Sequence, residues 1–579
     1  LSKLGNFVWG IADQLRGVYK PHQYGGVILP FTILRRLDCV LASARDEVRE
    51  LATKFSDGAL DAQVKRKTGL AFYNTSAFDF AKLLEDPEGL RANLMDYITG
   101  FSANIDVFER FKFENELATL DEKNRLYLVT SKFAEVDLHP DAVPNAEMGD
   151  LFEYLIYKFA EASNEEAGEH YTPRDAIRLM VDLLFAEENT ALMEPGTVRT
   201  IYDPTAGTGG MLSVAEERLL ERNPEARLRL YGQEINDQSY AICKSDMIAK
   251  GQDAGNIRLG DTLADDQFWD RTFDFCMSNP PYGFDWKASQ EAVEKESLVT
   301  GSRFSHGLPS VGDGQMLFLC HLANKMRPAH EGGGRAGIVL NGSPLFNGAA
   351  ESGPSKIRQW LLASDLVEAI IALPTNMFFN TGIATYIWIL DNTKRPERQG
   401  KIQLIDATSF WTKMRRNLGA KGREVDAESR DHIVALYDIF DEADPDYSKV
   451  FCANDFGYWT ITVERPLLDE IGNPVADRKG NPKPDATRRD TENIPFTYGG
   501  NTSGDVGRAA TIKAYFEAEV LPHAPDAWVD IKKTKIGYEI PFTRHFYKYV
   551  PPRPLEEIDA DLEKQVAKIM ELLREVEDR

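Results

Sequence analysis

Apolar positions along this chain follow three successive patterns. Up to residue 147 they recur every three or four residues, over 7–15 and 27–51 and in shorter stretches at 90–98, 106–111 and 125–133. That spacing predicts a bundle of amphipathic helices. Lys20, Arg35 and Arg36 fall in this region and read either as solvated charges or as contacts to DNA or a partner. From 148 the pattern changes. A helix over 149–162 leads into short apolar runs at 198–202, 228–232, 257–259, 273–277, 336–340, 366–372 and 385–390. Helical stretches at 211–220, 240–250 and 316–326 alternate with them, which predicts a doubly wound α/β sheet. Past Asn392 the regularity fades. Residues 459–463 read as one strand, and 469–493, rich in Gly, Pro and charge, as an exposed loop. At the end Ile558, Leu562, Val566, Ile569, Leu573 and Val576 share one helical face. Their spacing of four and three fits a short coiled coil, or a helix packed back on its own domain. The expected organisation is an N-terminal helical domain over 1–147, a catalytic α/β domain over 148–395, and a C-terminal region over 396–579 whose last helix docks a partner.

Chemistry gathers at the predicted strand ends, where doubly wound folds bind ligands. The first strand runs into Asp203-Pro204-Thr205-Ala206-Gly207-Thr208-Gly209-Gly210. Gly207, Gly209 and Gly210 admit positive φ and close backbone approach, and the following helix offers free N–H groups. A dinucleotide fingerprint is disfavoured, because Leu212 stands where its third glycine belongs. The second strand ends in Glu234, an acceptor for ribose hydroxyls, and the third in Gly260-Asp261, placed to accept from an adenine amino group. Singly, each acid is an ordinary surface or capping residue. Three successive strand ends carrying a glycine loop, a Glu and an Asp point to S-adenosylmethionine.

The fourth strand ends in Asn279-Pro280-Pro281-Tyr282. An exocyclic amino nitrogen on a planar base is a poor nucleophile, since its lone pair is delocalised into the ring. Acceptance of its hydrogens by the Asn279 side-chain oxygen and the Pro280 carbonyl would favour a pyramidal nitrogen, while Tyr282 stacks on the base. Such catalysis is positioning plus electrostatics, without a covalent enzyme intermediate. The base must first leave the duplex, because its amino group is unreachable inside it. No Pro-Cys dipeptide is present to act on a cytosine carbon, and a proline turn closing a strand is the bland alternative.

Composition narrows the picture. The 579 residues are 43% hydrophobic and 27% charged, with no apolar run long enough to span a bilayer. The five cysteines are scattered singly, which fits free thiols in a reducing cytoplasm and no metal site. The first residues, from Leu1, lack both an initiating Met and a secretory pattern, so the numbering is expected to begin inside a longer or processed chain. A net charge of −24 argues against coating nucleic acid unaided, so a more basic partner is expected to supply much of the grip.

The order Tyr171-Thr172-Pro173, Asp203 to Gly210, Glu234, Asp261 and Asn279 to Tyr282 resembles the gamma-class DNA amino-methyltransferases. More narrowly, the chain resembles the modification (M) subunit of type I restriction–modification systems. That resemblance rests on Trp9 to Asp13, Val27 to Pro30, Gly312 to Phe318, Ala372 to Gly382 and Pro551 to Leu555. It implies methyl transfer from S-adenosylmethionine to adenine N6 in double-stranded DNA, with the adenine flipped out. Tyr171, Thr172, Pro173, Asp203, Thr205, Gly207, Thr208, Gly209, Gly210, Glu234, Asp261 and Asn279 would hold the cofactor; Asn279, Pro280, Pro281 and Tyr282 would carry catalysis. It also implies a separate specificity (S) subunit flanked by two M subunits, to which a restriction (R) subunit can add. Only some thirty residues separate Tyr282 from Met316, and no helix-turn-helix or basic recognition segment is evident past Asn392. Two rivals share the tetrapeptide or the fold. One is a methyltransferase acting on protein glutamine or rRNA; the other is a non-catalytic, DNA-clamping scaffold.

Overall fold

The computed structural model of the chain describes residues 2–20, 23–144, 147–149, 151–152, 154–155, 158, 172–186, 192–249, 252–379, 381–501, 504–549 and 554–577. Tyr171 and much of the expected 149–162 helix lie outside them.

A nine-stranded sheet organises the centre of the molecule. Its strands are β1 (Val198–Asp203), β2 (Arg227–Glu234), β3 (Ile257–Leu259), β4 (Phe275–Ser278), β5 (Arg335–Asn341), β6 (Val367–Ala372), β7 (Thr385–Asp391) and β8 (Lys401–Asp406). A short hairpin, β9 (Thr412–Leu418) and β10 (Lys421–Glu424), precedes the ninth sheet strand, β11 (Ser448–Cys452). The spatial order is β11-β8-β6-β7-β5-β4-β1-β2-β3. Strands β3 to β5 through β2, β1 and β4 are parallel; β7 runs antiparallel between β5 and β6, and β11 antiparallel to β8. The seven apolar runs seen in the sequence are all strands here. Near-continuous apolar composition, as in Ala-Ile-Ile-Ala of β6, fits strands buried on both faces. Val339, Ala369, Ile371, Ile387 and Ile389 join the helices Arg174–Ala186, Gly210–Arg222 and Ala427–Ile439 in one core. Their alternating neighbours Ile338, Leu340, Ile370 and Trp388 are buried on the opposite side. The sheet continues past residue 395, since β8 and β11 both belong to it.

Because strand order reverses at β1, with β2 on one side and β4 on the other, a crevice opens between the carboxyl ends of β1 and β4. The glycine loop follows the first of these strands and the Asn-Pro-Pro-Tyr segment the second.

The N-terminal region is helical, as its periodicity predicts. Helix Gly25–Leu41 is its axis, with 15 of 17 residues buried. Phe31 stacks on Phe133 at 5.2 Å and meets Phe113 edge-on at 5.0 Å. Arg36 is neither a solvated charge nor an available DNA contact. It is 4% exposed, and its guanidinium donates to the carbonyls of Leu138 and of Val143 (2.8 Å). Arg35 similarly donates to the Val136 carbonyl and to Asp38. Periodicity alone cannot tell an inward-facing Arg that closes loop carbonyls from a surface one. The same helical core takes in Ala241, Ile242 and Ile248 of the helix Asp237–Ala249, which follows β2, and Lys244 pairs with Asp106 at 2.7 Å.

Beyond the large sheet, β12 (Gly457–Glu464) pairs antiparallel with β13 (Asp490–Pro495), β14 (Trp528–Val529) and β15 (Lys535–Tyr538). The exposed stretch between β12 and β13 is ordered. Asp469 and Asp477, eight residues apart in two copies of Asp-x-x-Gly-Asn-Pro, each accept from two backbone N–H groups. Main-chain bonds from Val475 to Leu467, Lys483 to Val475 and Leu467 to Lys483 close a ring, each at 2.8 Å. Residues 541–579 form a separate compact unit. Its helix Leu555–Glu577 exposes Ile558, Leu562, Val566 and Ile569.

Candidate active site

A cavity of about 330 Å³ lies in the crevice. Its walls include Thr172, Asp203, Thr205, Gly207, Thr208, Gly210, Glu234, Asp261, Asn279, Pro281 and Tyr282, so most of the residues singled out in the sequence meet in one place. Pro173, Gly209 and Pro280 adjoin these residues in the chain but are not among those that line the cavity.

The glycine loop is braced from every neighbouring strand end. Asp203 accepts from the backbone N–H and hydroxyl of Thr205 (2.9 and 3.1 Å), and the Thr205 hydroxyl reaches Ser278 Oγ on β4 at 2.8 Å. Glu234 Oε2 accepts from Gly207 N at 2.7 Å and Oε1 from Asn236 N at 2.8 Å. The Thr262 hydroxyl donates to the Pro204 carbonyl at 2.5 Å. Gly209 has φ 85°, and a Cβ there would sit 2.8 Å from Cys243 Sγ. Only glycine meets both demands.

Asp203 is fully buried, and its Oδ2 has no hydrogen-bond partner among the described residues. Burial raises its pKa to about 7 against the lowering effect of the Thr205 bonds. A buried acceptor without a donor, in a residue beside the cavity, is an unmet demand for one, best a cationic one. Asp261 turns Oδ1 to Leu263 N (2.9 Å) and Oδ2 to the Ser289 hydroxyl (2.5 Å).

On the other wall, Asn279 Nδ2 donates to Thr172 Oγ1 at 2.8 Å. That anchor leaves Oδ1 as the acceptor facing the cavity, where the Tyr282 hydroxyl donates to it at 3.1 Å. Burial pushes the Tyr282 phenol above its usual pKa, so it stays protonated and remains a donor. Its ring meets Phe378 edge-on at 6.0 Å. Phe378 belongs to the Asn376-Met377-Phe378-Phe379 stretch and backs Tyr282 from the core, 96 residues downstream of it. Ile177, Ile235, Thr262, Phe284 and Asp285 also line the cavity and were not singled out in the sequence; Pro204, Ala206, Met211, Gly283 and Phe318, the last from the Gly312 to Phe318 stretch, complete the lining. Ile235 offered one signal, as an apolar residue directly after a strand-terminal acid; it is 63% exposed. Gly314 lets Phe284 and Trp286 close in, since a Cβ there would lie 3.1 Å from each ring.

The site therefore joins an acid-lined half with an open anionic acceptor to an amide half walled by aromatic rings. The N-6 DNA Methylase family model matches residues 144–456, the span that holds this site, and the HsdM N-terminal domain model matches residues 4–133. The chain belongs to the N-6 DNA methylase family. It is an adenine-specific DNA methyltransferase of the type I modification (M) subunit kind. The type I restriction enzyme MjaIX methylase subunit of Methanocaldococcus jannaschii is 26% identical over 80% of this chain and 81% of its own length. The MjaVII methylase subunit of the same organism is 30% identical over 61% of this chain, which spans 57% of that relative. In fold, the chain matches the type I restriction–modification methyltransferase subunit of Streptococcus thermophilus with a TM-score of 0.60. That likeness covers 78% of this chain and 95% of the other, at 24% identity.

Proposed function

We propose that this M subunit binds S-adenosylmethionine in the Asp203–Glu234–Asp261 half of the cavity and methylates the N6 amino group of an adenine flipped from double-stranded DNA. The Asp203 carboxylate, whose Oδ2 lacks a donor among the described residues, carries the cofactor assignment: it suits an α-ammonium, while Glu234 and Asp261 supply acceptors for ribose hydroxyls and an adenine amino group. S-adenosylmethionine, when bound, supplies an electrophilic sulfonium methyl. The rest is done by the chain's own residues. Asn279 Oδ1, held outward by the Thr172 bond, accepts an amino hydrogen from the base. The Tyr282 hydroxyl, which satisfies that oxygen in the free site, gives way to it. The Pro280 carbonyl accepts a hydrogen bond from the second hydrogen, so the nitrogen lone pair is turned out of the ring toward the methyl; once the C–S bond has broken and the N–C bond formed, the cationic nitrogen releases one proton to solvent. Tyr282 and Phe378 stack on and flank the extruded base.

Sequence reading falls to a separate specificity subunit in this proposal, with two M subunits flanking one S and an R subunit able to join. The exposed stripe Ile558, Leu562, Val566 and Ile569 is the docking element for S. Among the described residues no helix is long and apolar enough to cross a membrane, in keeping with a cytoplasmic enzyme. Calorimetry tests the assignment. The chain alone should bind S-adenosylmethionine, and methylate DNA only after S is added. Sequence-specific methylation by the chain alone would place the reader within it, and absence of cofactor binding with and without S would overturn the assignment.

A further inference from the structure

The hairpin β9–β10 is strongly basic. Between Thr412 and Glu424 stand five basic residues, Lys413, Arg415, Arg416, Lys421 and Arg423, against the single acid Glu424, in a chain of net charge −24. Two of the five have structural duties. Lys421 is buried and pairs with Asp175 at 2.9 Å, and the same carboxylate takes the Val425 N–H. Arg423 lies over the Trp411 ring at 4.0 Å and donates to Thr375 Oγ1 at 3.0 Å. Lys413 and Arg415 are exposed, and neither has a carboxylate partner among the described residues. Two apart on one strand, they point to the same face. Lys413 is also in register with Arg423 across the ladder.

The hairpin is fixed to both segments that build the amide half of the site. Its tip accepts from Asn376 Nδ2 at the Ala420 carbonyl. Ala420 N donates to the Phe379 carbonyl at 2.9 Å, and Gly422 N to the Asn376 carbonyl at 3.1 Å. Phe378, between those two anchors, is the ring against Tyr282. Through Asp175 the hairpin base also holds the start of the helix Arg174–Ala186, three residues after the Thr172 that orients Asn279. An exposed cationic face is thus carried by a hairpin that is hydrogen-bonded to the segments behind the amide half of the site.

We infer that Lys413 and Arg415 grip the sugar-phosphate backbone of duplex DNA beside the displaced adenine, giving this acidic subunit its own phosphate contact. The inference rests on the DNA reading above. Its occupant is a polyanion because exposed cations with no carboxylate partner among the described residues release counterions on meeting phosphates. These contacts position the duplex and carry no sequence preference.

The test is the salt dependence of DNA binding by the full chain assembled with its S subunit, for the wild type and for Lys413→Ala/Arg415→Ala. Each lost phosphate contact lowers the slope of log K against log salt by roughly 0.9, so the double variant should flatten it by about 2 per bound chain. S-adenosylmethionine binding by the same variant should be unchanged, which establishes that the site is folded, and Lys413→Arg/Arg415→Lys should restore the slope. An unchanged slope in a variant that still binds cofactor overturns the hairpin contact and leaves the methyltransferase reading intact. Loss of S-subunit assembly with DNA affinity otherwise unchanged assigns the cations to a protein partner and also overturns it. Failure of the wild-type assembly to bind DNA at all overturns both readings.

Discussion

The two halves of the pocket are built by different means. The cofactor half is local. Asp203, Gly207, Glu234 and Asp261 end three adjacent parallel strands, and their mutual hydrogen bonds join neighbouring loops of one sheet edge. The target half is assembled from afar: Asn279 is oriented by Thr172, 107 residues upstream, and Tyr282 is walled by Phe378, 96 residues downstream. The first half is thus pre-formed by backbone geometry. The second is held by individual side chains, and each should show a separate phenotype when removed. The contrast predicts that cofactor-half substitutions act on cofactor binding, whereas target-half substitutions leave it alone and act on the target base, through turnover or the KM for DNA.

The largest effect is expected at Asn279. Asn279→Ala removes the acceptor that pyramidalises the amino nitrogen, and should lower single-turnover methylation by on the order of 10²–10³-fold. S-adenosylmethionine affinity should stay within about threefold, a bound set by the contrast itself, since the Asp203 wall is untouched. A comparable loss of cofactor affinity would mean the two halves are one unit.

Asp203→Asn probes the other half. Replacing a charge-assisted contact with a neutral one costs about 1.5–3 kcal/mol, so cofactor binding should weaken by roughly 10–100-fold, read by calorimetry. The wild-type pH profile sharpens the point. The folded pKa of Asp203, about 7, lies above the ordinary value of 3.8. Folding therefore favours the protonated acid. This group's contribution to stability is fullest below the unfolded pKa and falls as pH rises through the folded one. Binding of a cation has the opposite sign, because it requires the carboxylate. Cofactor affinity should accordingly rise between pH 6 and pH 8, with the rise absent in Asp203→Asn.

Phe378→Ala should act more weakly, raising the KM for DNA by about 3–10-fold through loss of roughly 0.5–1.5 kcal/mol of edge-to-face contact. Cofactor binding should not change. Thr172→Val comes last. It frees the Asn279 amide to rotate and forfeits about 1 kcal/mol of orienting hydrogen bond, so kcat should fall severalfold at unchanged cofactor affinity.

The same division explains what could be read from the sequence. Strand ends bearing Gly, Glu, Asp and Asn were legible because each carries its chemistry within a few residues of an apolar run. The seven central strands were legible for the same reason: near-continuous Ile, Val and Ala has few other homes than a buried strand. Phe284 and Ile177 were not, and Phe318 entered only through the stretch whose resemblance was noted. Apolar side chains on a cavity wall look like core until the fold brings them to the ligand. Arg35 and Arg36 misled in the opposite direction, since a charge on a helix reads as surface and these close buried loop carbonyls instead. Nor was the hairpin β9–β10 visible as a basic element. Its cations are interleaved with Thr, Met, Asn and Gly, and its importance lies in the contact with the Phe378 segment rather than in composition. The small ring between Leu467 and Lys483 escaped because its Gly-Asn-Pro turns read as loop punctuation, while the bonds that order it run between turns.

The most direct test of the central claim is to identify the methylated nucleoside in DNA treated with the S-subunit assembly, for the wild type and Asn279→Ala in parallel. The account predicts N6-methyladenine from the wild type and almost none from the variant, with both binding S-adenosylmethionine alike. Methylation on cytosine N4, or N6-methyladenine formed undiminished without Asn279, would contradict it.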